Sequence, residues 1–116
     1  MKLSEIQEIL DADVLSNIPW QDIEVSSAFG CDLMSDVLAF VKEQTLLMTG
    51  LINSQVIRTA EMMDIKAICF VRGKSPAPEV VELANEKKIA LLSTENSLYI
   101  SCGKLYSEGI GGNAGA

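Results

Sequence analysis

Three stretches of this chain are apolar almost without interruption, and each is followed by residues whose apolar positions recur at helical spacing. The stretches are residues 46–49, 67–71 and 89–93. A strand that is apolar at successive positions is buried on both faces. Alternating such strands with amphipathic helices predicts right-handed βαβ units in a parallel sheet. After the first run, Val56, Ile57, Ala60 and Met63 share an inward helical face, and Gln55, Arg58, Glu61 and Asp64 an outward one. After the second, Ser75 is the expected cap, and Pro76 or Pro78 falls in the first turn, where a missing N–H costs nothing. The apolar positions of that helix are Val80, Val81, Leu83 and Ala84. A last helix is expected over residues 95–108, with Leu98, Cys102 and Leu105 on one line, Tyr99 and Tyr106 on the next, and a weak point at Gly103.

The first third of the chain has a different pattern. Ser4 and Gln7 form a capping box beside Leu3, Ile6, Ile9 and Leu10, which predicts a helix over residues 4–10. Residues 12–15 are expected to form a short strand, and 17–22 a turn around Pro19 with Trp20 folded over apolar side chains. Ile23, Val25 and Ser27 alternate with Asp22, Glu24 and Ser26, so residues 23–29 are expected to form an edge strand with one wet face. Gly30, Cys31 and Asp32 are expected to break it. Asp32 would then cap a helix carrying Leu33, Met34, Val37, Leu38 and Val41 and ending near Lys42. The closing run from Gly109 offers little to pack or pair. A single domain over 1–110 and a flexible tail over 111–116 are therefore expected.

Composition narrows the function more than the fold. The chain has 116 residues, the size of one domain, and 16 acidic against 9 basic residues give a net charge of −7. That field opposes nucleic-acid binding, and the only close basic pairs are Arg72 with Lys74 and Lys87 with Lys88. The start lacks the features of a signal peptide, and no apolar run approaches the roughly 18 residues a membrane span requires, so a cytoplasmic protein is expected. Cys31, Cys69 and Cys102 are far apart, with no histidine to complete a metal site. They are read as reduced, mostly buried thiols, and neither metal nor cofactor is expected.

In open α/β sheets, ligands bind beyond the carboxyl ends of the parallel strands, at the amino-terminal ends of the following helices. Three turns occupy that position: Thr49, Gly50, Leu51, Asn53 and Ser54 in the first, Arg72, Gly73 and Lys74 in the second, Ser93 and Thr94 in the third. Glycines at 50 and 73 would allow close backbone approach, Asn53 or Ser54 would cap, and Arg72 or Lys74 would supply positive charge. The same glycines and caps also serve turns that bind nothing. No P-loop spacing and no Gly-x-Gly-x-x-Gly follow any strand. Without histidine there is no Ser-His-Asp or Cys-His pair, and Asp32 with Asp36 is ordinary compensation of a helix dipole. Met34, Met48, Met62 and Met63 are read as core filler before contact surface. The chain is read as non-catalytic.

The segments Thr45-Leu46-Leu47-Met48-Thr49-Gly50, Asn53 to Ala60, Ala67-Ile68-Cys69-Phe70-Val71-Arg72-Gly73 and Leu91-Leu92-Ser93-Thr94 together resemble the DRTGG domain, over about residues 24–110. Asp32-Leu33-Met34-Ser35-Asp36 and Cys102-Gly103-Lys104-Leu105-Tyr106 are similar to its small stand-alone members. The resemblance implies a three-layer α/β/α sandwich with a mixed, largely parallel sheet, like the amino-terminal domain of HPr kinase/phosphorylase. It also implies a regulatory role with dimer contacts. Leu51-Ile52 stands where embedded members carry Asp-Arg, and Val71-Arg72-Gly73 where they carry Thr-Gly-Gly, so the polar ligand residues of the motif are not carried over. The leading expectation is a homodimeric regulatory module binding a small anionic ligand, such as a nucleotide or phosphometabolite, or a partner protein. An accessory or assembly protein for a redox metalloenzyme, such as an iron hydrogenase, is the alternative. A phosphotransfer enzyme comes third, because the P-loop domain it would need is missing from this sequence.

Overall fold

The computed structural model describes residues 1–41 and 43–111. Ten elements follow in order: α1 (Leu3–Leu10), β1 (Asp13–Val14), β2 (Ser27–Gly30), α2 (Met34–Phe40), β3 (Thr45–Thr49), α3 (Ser54–Met62), β4 (Ala67–Phe70), α4 (Pro78–Glu86), β5 (Ala90–Ser93) and α5 (Leu98–Ser107). The strands form one mixed sheet in the order β1-β5-β4-β3-β2, parallel except for β1, which runs antiparallel to β5. This is an α/β fold of three layers, as the apolar runs imply.

Alternation along the buried strands assigns the layers. Leu46, Met48, Cys69 and Leu92 pack with residues of α1 and α5, whereas Leu47, Ile68, Phe70 and Leu91 pack with α2, α3 and α4. The chain therefore returns over one face through three successive crossovers and then changes face after β5. Burial of both faces is what makes β3, β4 and β5 apolar at nearly every position.

Several local expectations are corrected. Helix α1 starts at Leu3, and Ser4 does not cap it. The first N–H groups of this helix donate to Ile23 and Gln21 carbonyls, and Glu5 accepts from the Lys2 N–H at 3.3 Å. The expected strand over 23–29 is replaced by two pieces. Residues 23–25 pair with the amino terminus through the Val25 N–H to the Met1 carbonyl and a bridge between Lys2 and Glu24, and only Ser27–Gly30 joins the sheet, at its edge. Gly30 belongs to that strand instead of ending it. A Cβ there would stand 2.7 Å from the Cys102 sulfur of α5, so the glycine permits helix and strand to touch.

Other corrections concern helix starts and the carboxyl end. Pro78 opens α4 and holds Ala77 in an extended conformation, which makes residue 77 the cap and leaves Ser75 outside the helix. Helix α5 begins at Leu98, with the Ser97 hydroxyl accepting from the Ile100 N–H. On α2 only Met34 and Val37 are buried, while Leu38 faces outward, and the predicted end at Lys42 lies outside the described residues. The closing run does pack where it is described: Ile110 is buried and Gly111 bridges to Ser27. The rest of the expected tail, 112–116, lies outside the described residues.

Candidate functional site

The carboxyl ends of β3, β4 and β5 open on one end of the sheet, and the three turns after them behave differently. Thr49 is buried at the end of β3, and its hydroxyl donates to Asp32 Oδ1 at 2.8 Å. The Gly50 N–H donates to the same oxygen at 2.8 Å. The Thr49 hydroxyl oxygen accepts in turn from the Leu51 N–H at 3.1 Å, and Asn53 caps α3 by accepting from the Val56 N–H. Ser54 is the first residue of α3 and is exposed; Leu51 is half-buried against the core. The Gly50 and Leu51 N–H groups of this turn are thus both engaged, the first by a carboxylate.

That carboxylate belongs to the residue expected to cap α2. Asp32 does not cap; Leu33 occupies the position without a side-chain bond. Two short bonds across the sheet end outweigh one cap bond, and charge-assisted bonds are the stronger kind. The Gly50 N–H is the main reason the Asp32 carboxyl titrates below its ordinary value. Partial burial opposes it, while the Thr49 hydroxyl and the charges of Arg72 and Lys74 reinforce it.

The second turn brings positive charge to the same place. Lys74 Nζ donates to the Gly50 carbonyl at 3.1 Å. A Cβ added at Gly50 would have Arg72 Nη2 at 3.1 Å and the two Asp32 oxygens at 3.6 and 3.7 Å, so guanidinium and carboxylate face one small volume. Arg72 forms no ion pair among the described residues. The turn itself is unusual: Arg72 and Gly73 are both left-handed, with φ of 59° and 67°. Glycine tolerates this freely and arginine does not. Two backbone bonds hold it there, from the Arg72 N–H to the Asn96 carbonyl (2.9 Å) and from the Gly73 N–H to the Thr94 carbonyl (2.8 Å).

The third turn is closed. Because α4 and α5 lie on opposite faces, the crevice between the ends of β4 and β5 is where a ligand site is expected in this class of fold. Those same two backbone bonds fill it, and the Glu95 carboxylate lies over Gly73, 2.6 Å from where its Cβ would be. Thr94 is buried and donates to the Leu10 carbonyl at 2.7 Å, joined there by Asn96 Nδ2 at 3.1 Å. Ser93 donates to the Lys74 carbonyl at 2.7 Å. These two expected ligand residues spend their hydroxyls on the end of α1 and on the second turn.

The structure therefore brings together Thr49, Gly50, Arg72 and Lys74 and sets Ser93 and Thr94 apart in structural bonds. Sequence reasoning did not place Asp32 beside Gly50, nor the Glu95 carboxylate over Gly73. Asp32 looks like a helix cap in one dimension, and only the register of β2 beside β3, Gly30 opposite Met48, carries it to Gly50. Two of the cysteines are poor nucleophiles: burial pushes the Cys69 thiol up to about 12 and raises that of Cys102. Among the described residues no cluster of Cys, Asp and Glu could hold a metal, and no helix is long and apolar enough to cross a membrane.

No protein-family model and no curated protein matches this sequence. Its fold does have a solved counterpart. The chain is similar to the CBS and DRTGG domains of the regulatory region of Clostridium perfringens pyrophosphatase, solved in complex with the activator diadenosine tetraphosphate. The TM-score is 0.70 at 14% identity, covering 90% of this chain and 45% of that one. At that identity the likeness is one of fold, and the chain spans less than half of the matched length. The fold is shared with a regulatory region.

Proposed function

We propose that this protein is a non-catalytic, ligand-sensing regulatory module that binds a small anionic ligand, a nucleotide or phosphometabolite, beside Gly50. One observation carries the reading: two cationic side chains, Arg72 and Lys74, converge on the backbone of the β3–α3 turn in a chain whose net charge is −7. An acidic protein that gathers positive charge beyond the carboxyl ends of parallel strands has a place for an anion. The similar regulatory region, which was solved with a nucleotide activator, supports the same reading. Calorimetry with diadenosine tetraphosphate, ATP, AMP and inorganic pyrophosphate tests it. Binding is expected with at least one of them and is lost in Arg72→Ala; no heat with any of them in the wild type or its variants removes the reading.

The module acts as a homodimer in this proposal. Among the described residues, six of the eight exposed large hydrophobic side chains belong to two helices on opposite faces of the sheet: Leu33, Leu38 and Phe40 at α2, and Tyr99, Ile100 and Tyr106 on α5. Two clusters of exposed apolar side chains are a surface that association would bury, beside a β2 edge that Gly111 already covers in part. Light scattering should give twice the chain mass, and Phe40→Ser with Tyr99→Ser should halve it. A monomeric wild type would favour the second reading, in which the same edge docks a client protein.

A further inference from the structure

The anion site proposed above already holds an anion of the protein's own. One oxygen of Asp32 takes the Gly50 N–H and the Thr49 O–H, each at 2.8 Å, with the guanidinium of Arg72 and the ammonium of Lys74 close by. Its second oxygen has no hydrogen-bond partner among the described residues. Asp32 itself is exposed, on the short link between β2 and α2, which is otherwise held at Cys31: its N–H donates to the Met48 carbonyl and its sulfur accepts from the Leu33 N–H at 3.3 Å. A backbone N–H, a hydroxyl and two cations around one surface carboxylate are the set of partners that would otherwise receive a phosphate oxygen.

We infer that Asp32 is a built-in competitor: its carboxylate occupies the phosphate position at Gly50, and a phosphate-bearing ligand binds by displacing it. This rests on the anion-binding reading of the site. Three consequences follow from the geometry. Affinity is set by the difference between ligand and Asp32 at the same donors, so the wild type binds more weakly than its cations alone would allow. Displacement releases the link from the end of β3 at Asp32 and leaves it held through Cys31 alone, next to exposed Leu33 at the start of α2. Ligand occupancy is thereby coupled to the surface at which a second chain would associate.

The decisive measurement is titration of the full chain with inorganic pyrophosphate, comparing wild type, Asp32→Asn and Asp32→Ala. Asn keeps an oxygen of the same size and position to accept from Gly50 and Thr49, so the turn keeps its bonds while the competing charge is gone. Its affinity is expected to rise by about tenfold, the scale of one like-charge contact removed from a partly screened site. In the wild type, the Gly50 and Thr49 amide resonances should shift as pyrophosphate is added. Equal or weaker binding by Asp32→Asn, with wild-type binding intact, would overturn the competitor inference and leave the site reading standing. Absence of pyrophosphate binding in all three proteins, together with no heat from the nucleotides, would remove both.

Discussion

Two turns lie at the same end of the same sheet with β4 between them, and they put similar residues to opposite uses. At the β3–α3 turn, Gly50 and buried Thr49 present donors outward to a surface carboxylate, and the Gly50 carbonyl accepts from Lys74 with Arg72 close by. At the β5–α5 turn, Thr94 is equally buried but donates inward to the last carbonyl of α1. The difference is topological. Helix α3 leaves on the face of α2 and α4, where the strand end meets the exposed Asp32 side chain, whereas α5 leaves on the face of α1, whose final turn has an unsatisfied carbonyl to offer. A polar residue at the end of a buried strand is a ligand candidate only if no neighbouring helix end claims it first.

The sharpest way to break this contrast is to exchange hydroxyl for methyl on the closed side. Thr94→Val removes a buried hydrogen bond from the Leu10 carbonyl and should cost about 1–3 kcal/mol in urea or thermal unfolding, with pyrophosphate affinity unchanged. A loss of binding with unchanged stability would place Thr94 at the ligand. Next in size is Gly73→Ala. The left-handed φ of 67° penalises any Cβ, and Glu95 must swing away, so about 1–2 kcal/mol of stability should go. Binding should fall as well if the Arg72–Gly73 turn aims the guanidinium, and keeping full affinity would separate the turn from the site.

Arg72→Gly should act in the reverse direction. Relief of the left-handed arginine offsets the added freedom of the unfolded chain, so stability should change by less than about 1 kcal/mol while anion binding disappears. A destabilisation larger than that would mean the side chain has a structural role. The smallest effect is a pH dependence. The folded Asp32 carboxyl lies below its unfolded value, so its stabilisation is complete above the ordinary carboxyl range and is lost as pH falls through the folded value. Unfolding midpoints measured down the acid limb should fall less steeply for Asp32→Asn than for the wild type, and parallel limbs would show that Asp32 is held no better folded than unfolded.

Much of this arrangement was legible in the sequence, and the parts that were not have a common cause. The apolar strands, their helices and the ligand-facing end could be read because burial on two faces leaves a local signature at each position. Gly50, Arg72 and Lys74 were legible as neighbours at one end of the sheet because turn chemistry is also local. Asp32 was misread as a cap because the local rule for Asp before a helix is sound, and a competing partner 18 residues away is invisible to it. Strand 23–29 was overextended for the same reason: Ile23 and Val25 do alternate, but they pair with the amino terminus and not with the sheet.

What the sequence determined by itself is therefore the set of elements, the burial of β3, β4 and β5 and the end of the sheet where chemistry can occur. Tertiary structure alone decided which donors at that end remain available. The carbonyl of Leu10 lies more than 80 residues from Thr94 along the chain, and only α1 and α5 packed on one face bring them together. Hydrophobic periodicity is written into neighbouring residues, but the choice of partner for a hydroxyl or a carboxylate depends on which distant backbone group arrives beside it.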